Sequence, residues 1–184
     1  LDFQDKILTA TNAPFTMGAT STLKIGSQYG ITNGAIGGGT SGNLQTQVAG
    51  RVMVATATYI YSGTVNQATG NILPATLTGT GKLTIANSGT SGNNTVTLTT
   101  TGTTTPQLNL TSGLFAIGTG QTLNITSGGT VNATSGDFAT GTTGGTLNFP
   151  GSGTFTGNSN PYNVYASGGV NFGTTTTIQN GGTF

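Results

Sequence analysis

Asp2, Asp5 and Asp137 are the acidic side chains of this 184-residue chain, Lys6, Lys24, Arg51 and Lys82 are the basic ones, and there is no Glu, His, Cys or Trp. Work on protons needs a titratable group within hydrogen-bond reach of the proton that moves, and a nucleophilic hydroxyl needs a base to activate it. Only Asp137 lies beyond Lys82, so the C-terminal half can assemble neither arrangement. Cleavage of a glycosidic bond requires two carboxylates facing each other across a groove, and one Asp far from the other two does not predict such a site. The expectation is a protein that is not an enzyme.

The same inventory bears on cofactors and partners. Zinc and copper sites draw on His and Cys, and calcium sites on several carboxylates, so no metal or cofactor is expected. A formal net charge of +1 spread over four distant cations offers no phosphate-binding patch, and no nucleic-acid partner is expected. Gly37-Gly38-Gly39 lacks the Lys-Ser/Thr that follows a phosphate cradle and reads as a turn. Neutral groups remain. Tyr59 and Tyr61 fall on one face of an expected strand, where aromatic rings can stack on sugar rings or pack against a neighbouring element. Both readings stay open; the first would make a polysaccharide a partner, and an abiotic surface stays open as another.

The elements that must carry these residues are strands. No helical period of useful length occurs, whereas short alternating runs bounded by Gly, Ser, Asn and Pro recur throughout. Thr22–Ile25, Val52–Tyr61, Lys82–Ala86, Thr95–Thr99, Gln107–Leu110, Thr122–Ile125, Thr146–Phe149, Val164–Tyr165, Gly169–Phe172 and Thr176–Gln179 are the candidates, rich in β-branched residues. Only 4% of residues are charged against the usual quarter, but the regular placement of Leu, Ile, Val and Phe argues for a packed core over a disordered chain. No run of about eighteen apolar residues exists, so no membrane-inserted helix is expected.

Two successive stretches, Thr111 to Ala133 and Thr134 to Gly157, write nearly the same line twice. Leu123-Asn124-Ile125, Leu147-Asn148-Phe149 and Val170-Asn171-Phe172 recur at roughly 23 to 24 residues, with Leu108-Asn109-Leu110 before them. A second set, Thr130-Val131-Asn132, Thr154-Phe155-Thr156 and Thr177-Ile178-Gln179, keeps the same step. A unit this short cannot bury its apolar face alone and must stack on its neighbours. The expected fold is all-β, a parallel β-helix or β-solenoid with coils of roughly 23–24 residues. Its inner column holds Leu123, Leu147 and Val170, and its outer column Asn124, Asn148 and Asn171. Tandem small antiparallel β-sandwiches are the alternative. Residues 76–184 read as regular solenoid repeats. Residues 1–75 read as less regular opening coils, with one long strand over 51–61. The pattern runs to both ends, which predicts a fragment of a longer repeat protein.

The stretches "TLKIGSQYGI", "SGNLQTQ" and "ATYIYSGTVNQATGNILPATLTGTGKLTIANS", followed by Leu-Asn-Leu-Thr-Ser-Gly, carry a resemblance. From Thr22 onward the chain resembles the repeat region of very large surface adhesins of Bacteroidetes, the SprB-type gliding-motility adhesins exported by type IX secretion. The shared motifs are structural and define no active site. The resemblance implies an extracellular location at the cell surface, in a filament that attaches cells to surfaces and, in gliding species, is driven along the cell. Its partners would be neighbouring repeats or copies of the same filament. Two other functions stay open: a carbohydrate-binding β-helix module using Tyr59 and Tyr61, and the stalk of a tailspike-like enzyme whose catalytic carboxylates lie elsewhere.

Overall fold

The computed structural model describes residues 1–4, 6–34, 37–40, 42–140 and 145–173. Fifteen strands and no α-helix make up these residues. They are β1 (Leu8–Ala10), β2 (Thr22–Ile25), β3 (Leu44–Thr46), β4 (Thr58–Tyr61), β5 (Gln67–Ala68), β6 (Lys82–Ala86), β7 (Thr95–Leu98) and β8 (Thr103–Ser112). The series continues with β9 (Leu114–Ile117), β10 (Thr122–Ala133), β11 (Asp137–Phe138), β12 (Thr146–Phe149), β13 (Gly153–Thr156), β14 (Asn163–Ala166) and β15 (Val170–Phe172). Every pairing between them is parallel. The chain is a parallel β-solenoid; antiparallel sandwiches would require hairpin ladders.

Three faces enclose the core. The first runs through β2, β4, β6, the second half of β8, the second half of β10, β13 and β15, with Asp2 bridged to Lys24 as a further rung. Those eight rungs, at about 4.8 Å each, stand roughly 35 Å tall. The second face stacks β5, β7, β9 and β11. The third stacks the first halves of β8 and β10 with β12 and β14, and earlier coils join it through the Thr16–Val52 and Thr76–Thr104 bridges. β8 and β10 belong to two faces because they turn a corner without interruption, at Pro106 and at 126–129 respectively.

Parallel strands usually read as continuous apolar runs, being covered on both sides. Here they alternate, because one side of each strand meets the core and the other meets solvent. Leu23, Tyr59, Leu83, Leu108, Val131, Phe155 and Phe172 fall in register down the first face, and all but Phe172 are buried. Four phenyl rings form a chain through the core: Phe115 to Phe138 at 6.1 Å, Phe138 to Phe155 at 6.5 Å and Phe155 to Phe172 at 5.8 Å between centroids. Contacts of this kind contribute about 0.5–1.5 kcal/mol each beyond area burial.

Coil length varies more than the repeat suggests. Successive partners on the first face lie 36 residues apart (Leu23 to Tyr59), then 24, 25, 23 and 24, and finally 17 (Phe155 to Phe172). The long coil contains an excursion, in which β3 leaves the stack to pair with β1. In the short coil, Ser159 and Asn160 take the place of a full second-face strand. They dock on the Asp137 carboxylate, which accepts hydrogen bonds from Ser159 Oγ (2.8 Å), Asn160 N (2.6 Å) and Asn160 Nδ2 (2.8 Å).

Two expectations change accordingly. The single strand expected over 51–61 is two segments on different faces. Val52 bridges Thr16 on the third face, the chain turns with Ala57 N donating to Val54 O at 3.2 Å, and only Thr58–Tyr61 enters the first face. Val170 and Asn171 do not continue the Leu147 and Asn148 columns. The short coil places Val164 beside Leu147 and Tyr165 beside Asn148, and moves Val170-Asn171-Phe172 to the first face opposite Gly153-Thr154-Phe155. The strand expected at Thr176–Gln179, with Thr177-Ile178-Gln179 as the third member of its set, lies outside the described residues.

Candidate functional site

Among the described residues the charged side chains do not converge. Asp2 pairs with Lys24 at 3.2 Å, and Asp137 is occupied by the docked segment 159–160. Arg51 donates to Thr46 Oγ1 at 3.1 Å and to the carbonyls of Thr32 at 2.7 Å, Gly34 and Thr46, so its guanidinium ties the excursion to the stack. Asp5 lies outside the described residues. Among the described residues no three potential metal ligands gather, and no helix is long and apolar enough to cross a membrane.

Tyr59 and Tyr61 are fully buried, which corrects the expectation that they could stack on a sugar. The Tyr59 hydroxyl donates to Val54 O at 2.9 Å and that of Tyr61 to Thr69 O at 2.6 Å. Burial raises the pKa of both hydroxyls, and the charge of Tyr59 would raise that of Tyr61 further. Alternation fixed their common face correctly, but that face is the inside, where two large rings fill the core beside the excursion.

The expected ladder is present over two rungs. Leu123 is in register with Leu147, both buried, and Asn124 with Asn148, whose Nδ2 donates to Asn124 Oδ1 at 2.7 Å. Among the described residues Asn148 Oδ1 finds no partner, since Tyr165 and not Asn171 follows it. A longer polar ladder stands on the first face. Asn109 Nδ2 donates to Thr84 Oγ1 at 3.2 Å, Asn132 Nδ2 to Asn109 Oδ1 at 3.0 Å, and Thr156 Oγ1 to Asn132 Oδ1 at 2.8 Å. These outward groups satisfy one another from rung to rung without charge.

A second set of amides, not anticipated from the sequence, is buried at the corner between the first and second faces. Gln67 Oε1 accepts from Gly63 N at 2.8 Å while its Nε2 donates to Ile25 O and Ser27 O at 3.0 and 3.1 Å. Asn87 Nδ2 donates to Val65 O at 2.7 Å and to Gln67 Oε1 at 3.0 Å, and its Oδ1 accepts from Gly89 N at 2.8 Å. Asn43 reaches the same corner from the excursion. Its Oδ1 accepts from Gly26 N and Ser27 N at 3.1 and 2.8 Å, and its Nδ2 donates to Gln4 O and Lys6 O at 3.2 and 2.5 Å. The Asn-Ser-Gly at 87–89 is the one local signal, an Asx turn after a strand.

Outside this amide corner lie two adjoining clefts that share Gly26 and Thr64. One, of about 490 Å³, is lined by Ile7, Gln28, Tyr29, Thr64 and Val65, with Gly37 to Gly39 along one wall. The other, of about 510 Å³, includes the Asp2–Lys24 pair, Ser62 and Ser88. Gly37–Gly39 thus borders a cavity, although it is not a phosphate cradle: no described cation lines that cleft.

Comparison with protein-family models, with curated proteins and with solved structures finds no match to this chain. Its class is defined by its architecture, an all-β parallel solenoid with three faces.

Proposed function

We propose that this chain is a non-catalytic structural segment of an extracellular, cell-surface filament or adhesin. One observation carries the reading: inside and out, its side chains are engaged chiefly in holding rung to rung. The inner columns stack Leu, Val, Tyr and Phe in register, and the outer first-face ladder Thr84–Asn109–Asn132–Thr156 links successive coils by hydrogen bonds. A stack built from nearest-neighbour contacts can be extended by adding coils, because each needs only the one before it. The resemblance to the SprB-type adhesins supports attachment to surfaces as the role of such a rod, with gliding where a motor draws the filament along. The partners are adjoining repeats or further copies of the filament.

The test is the mass and location of the native polypeptide carrying this sequence, released from cells by shear or mild surface proteolysis. Recovery from the surface fraction in a chain several-fold heavier than 18.2 kDa is the expected result. A free 18.2 kDa chain, or one retained inside the cell, would overturn the proposal.

A further inference from the structure

The cleft beside Tyr29 combines three features that no other described cavity does: an aromatic ring outside the core, exposed aliphatic side chains and polar groups still free to bond. Ile7 and Val65, which line it, are 54% and 43% exposed. Among the described residues no partner is found for the Tyr29 hydroxyl, the Gln28 side-chain amide or the Thr64 hydroxyl, all on the same lining. Asn43 and Gln45 line it too, but their amides are taken by backbone groups and form a fixed floor.

The backbone at Tyr29 is held in place before any ligand arrives. Its N–H donates to Ser27 Oγ at 3.2 Å, Gly30 N closes the turn on Ser27 O at 3.0 Å, and Ala68 N of the next coil donates to Gln28 O at 2.8 Å. Gly30, at φ +65°, lies against that coil so closely that a Cβ would stand 2.2 Å from Ala68 O. The backbone that carries the ring is thus fixed, so only side-chain torsions are left to order on binding. Gly37 and Gly39 add no side chain to the lining, and a Cβ at either would meet no described atom within 4 Å.

No described charged side chain lines this cleft, which disfavours a nucleotide, a phosphate or an acidic peptide. An apolar ligand would leave the free amide and hydroxyls without partners. A sugar suits both kinds of group, presenting a C–H face to an aromatic ring and hydroxyls to amides and alcohols. We propose that this cleft binds a neutral oligosaccharide: one ring rests on Tyr29, Gln28 and Thr64 meet its hydroxyls, and the chain continues over Gly26 into the adjoining cleft. The proposal does not depend on the chain belonging to a filament.

The test begins with the unaltered chain on an array of neutral gluco-, xylo-, manno-, galacto- and N-acetylglucosamine oligosaccharides, with uronic-acid oligomers for comparison. Saturable binding of at least one neutral glycan is expected, weakened about tenfold or more by Tyr29→Ala and unchanged by Tyr165→Ala, which removes the exposed ring on the third face. Chemical-shift mapping with the bound glycan on the unaltered chain gives a readout independent of any variant, with the largest changes expected at Gln28, Tyr29 and Thr64. Binding of no neutral glycan, preference for the acidic oligomers, equal binding by folded Tyr29→Ala, or shifts confined to another face would each overturn it.

Discussion

The coils between Lys82 and Gly157 and the coil that leaves Leu23 and returns at Tyr59 solve one problem with different materials. In the regular coils, residues of similar kind stack on one another: Leu83 on Leu108 on Val131, then Phe155. In the irregular coil the excursion departs and returns, and the register Leu23 to Tyr59 still holds across 36 residues. Two tyrosines are buried in the core there, and Asn43, Gln67 and Arg51 bond backbone groups that cannot all find partners in the coil above or below. The contrast teaches that apolar stacking sets the register of a solenoid, while buried amides set where it can be interrupted.

Breaking each material separately tests that division. Leu108→Ala empties a fully buried position in the middle of the stack and is expected to cost about 3–5 kcal/mol, seen as a lower midpoint for the whole chain in denaturant. Asn43→Ala orphans Gly26 N, Ser27 N and two carbonyls, at about 2–4 kcal/mol. Its loss is expected to be local, with faster amide exchange at 26–27 while residues 82–157 stay protected. Equal loss of protection in both regions would show that the excursion and the coils are one cooperative unit.

Alkaline pH sharpens the same contrast, since only the irregular side keeps tyrosines in the core. Tyr61 is neutral when protonated, and burial raises its folded pKa above the ordinary value near 10. Its contribution is therefore complete below about pH 10 and lost as pH rises, because the unfolded chain releases the proton first. Melting curves from pH 8 to 12 are expected to show stability falling by about 1.4 kcal/mol per pH unit above pH 10 for this residue. The slope should shrink by about that amount in Tyr61→Phe and persist in part, because buried Tyr59 is raised in the same way. The smallest effect is a gain: Tyr165→Asn gives the unpartnered Asn148 Oδ1 a donor and is expected to raise stability by about 0.5–1 kcal/mol, measured by thermal melting.

Much of this fold was legible because alternation and repetition are local. Leu123, Asn124, Leu147 and Asn148 could be assigned to inner and outer columns from their spacing, and the structure pairs them so. Alternation says whether a side chain points in or out, but not which face of the solenoid its strand joins. Leu108-Asn109-Leu110 and Leu123-Asn124-Ile125 look alike, yet they lie on the first and third faces. Val170 and Asn171 were misplaced because the 17-residue coil depends on Asp137 capturing Ser159 and Asn160, a contact between residues with no pattern in common. Tyr59 and Tyr61 were correctly read as sharing a face, but a run of Val, Ala, Ile and Tyr does not reveal which side is solvent. Tyr29 and the buried amides gave little signal, because their roles arise where the corner of one coil meets the excursion of another.

The unequal coil lengths have a mechanical consequence. A force pulling the two ends apart would strip the stack one coil at a time, since each coil is held to its neighbour by a single row of backbone bonds per face. Released chain extends by at most about 3.6 Å per residue, so a 24-residue coil yields roughly 85 Å of slack, the 36-residue coil roughly 130 Å and the 17-residue coil roughly 60 Å. Extra residues at a corner leave the rod's height unchanged and lengthen only the tether that the coil becomes when it gives way. Under load, coils of unequal length would release chain in unequal steps.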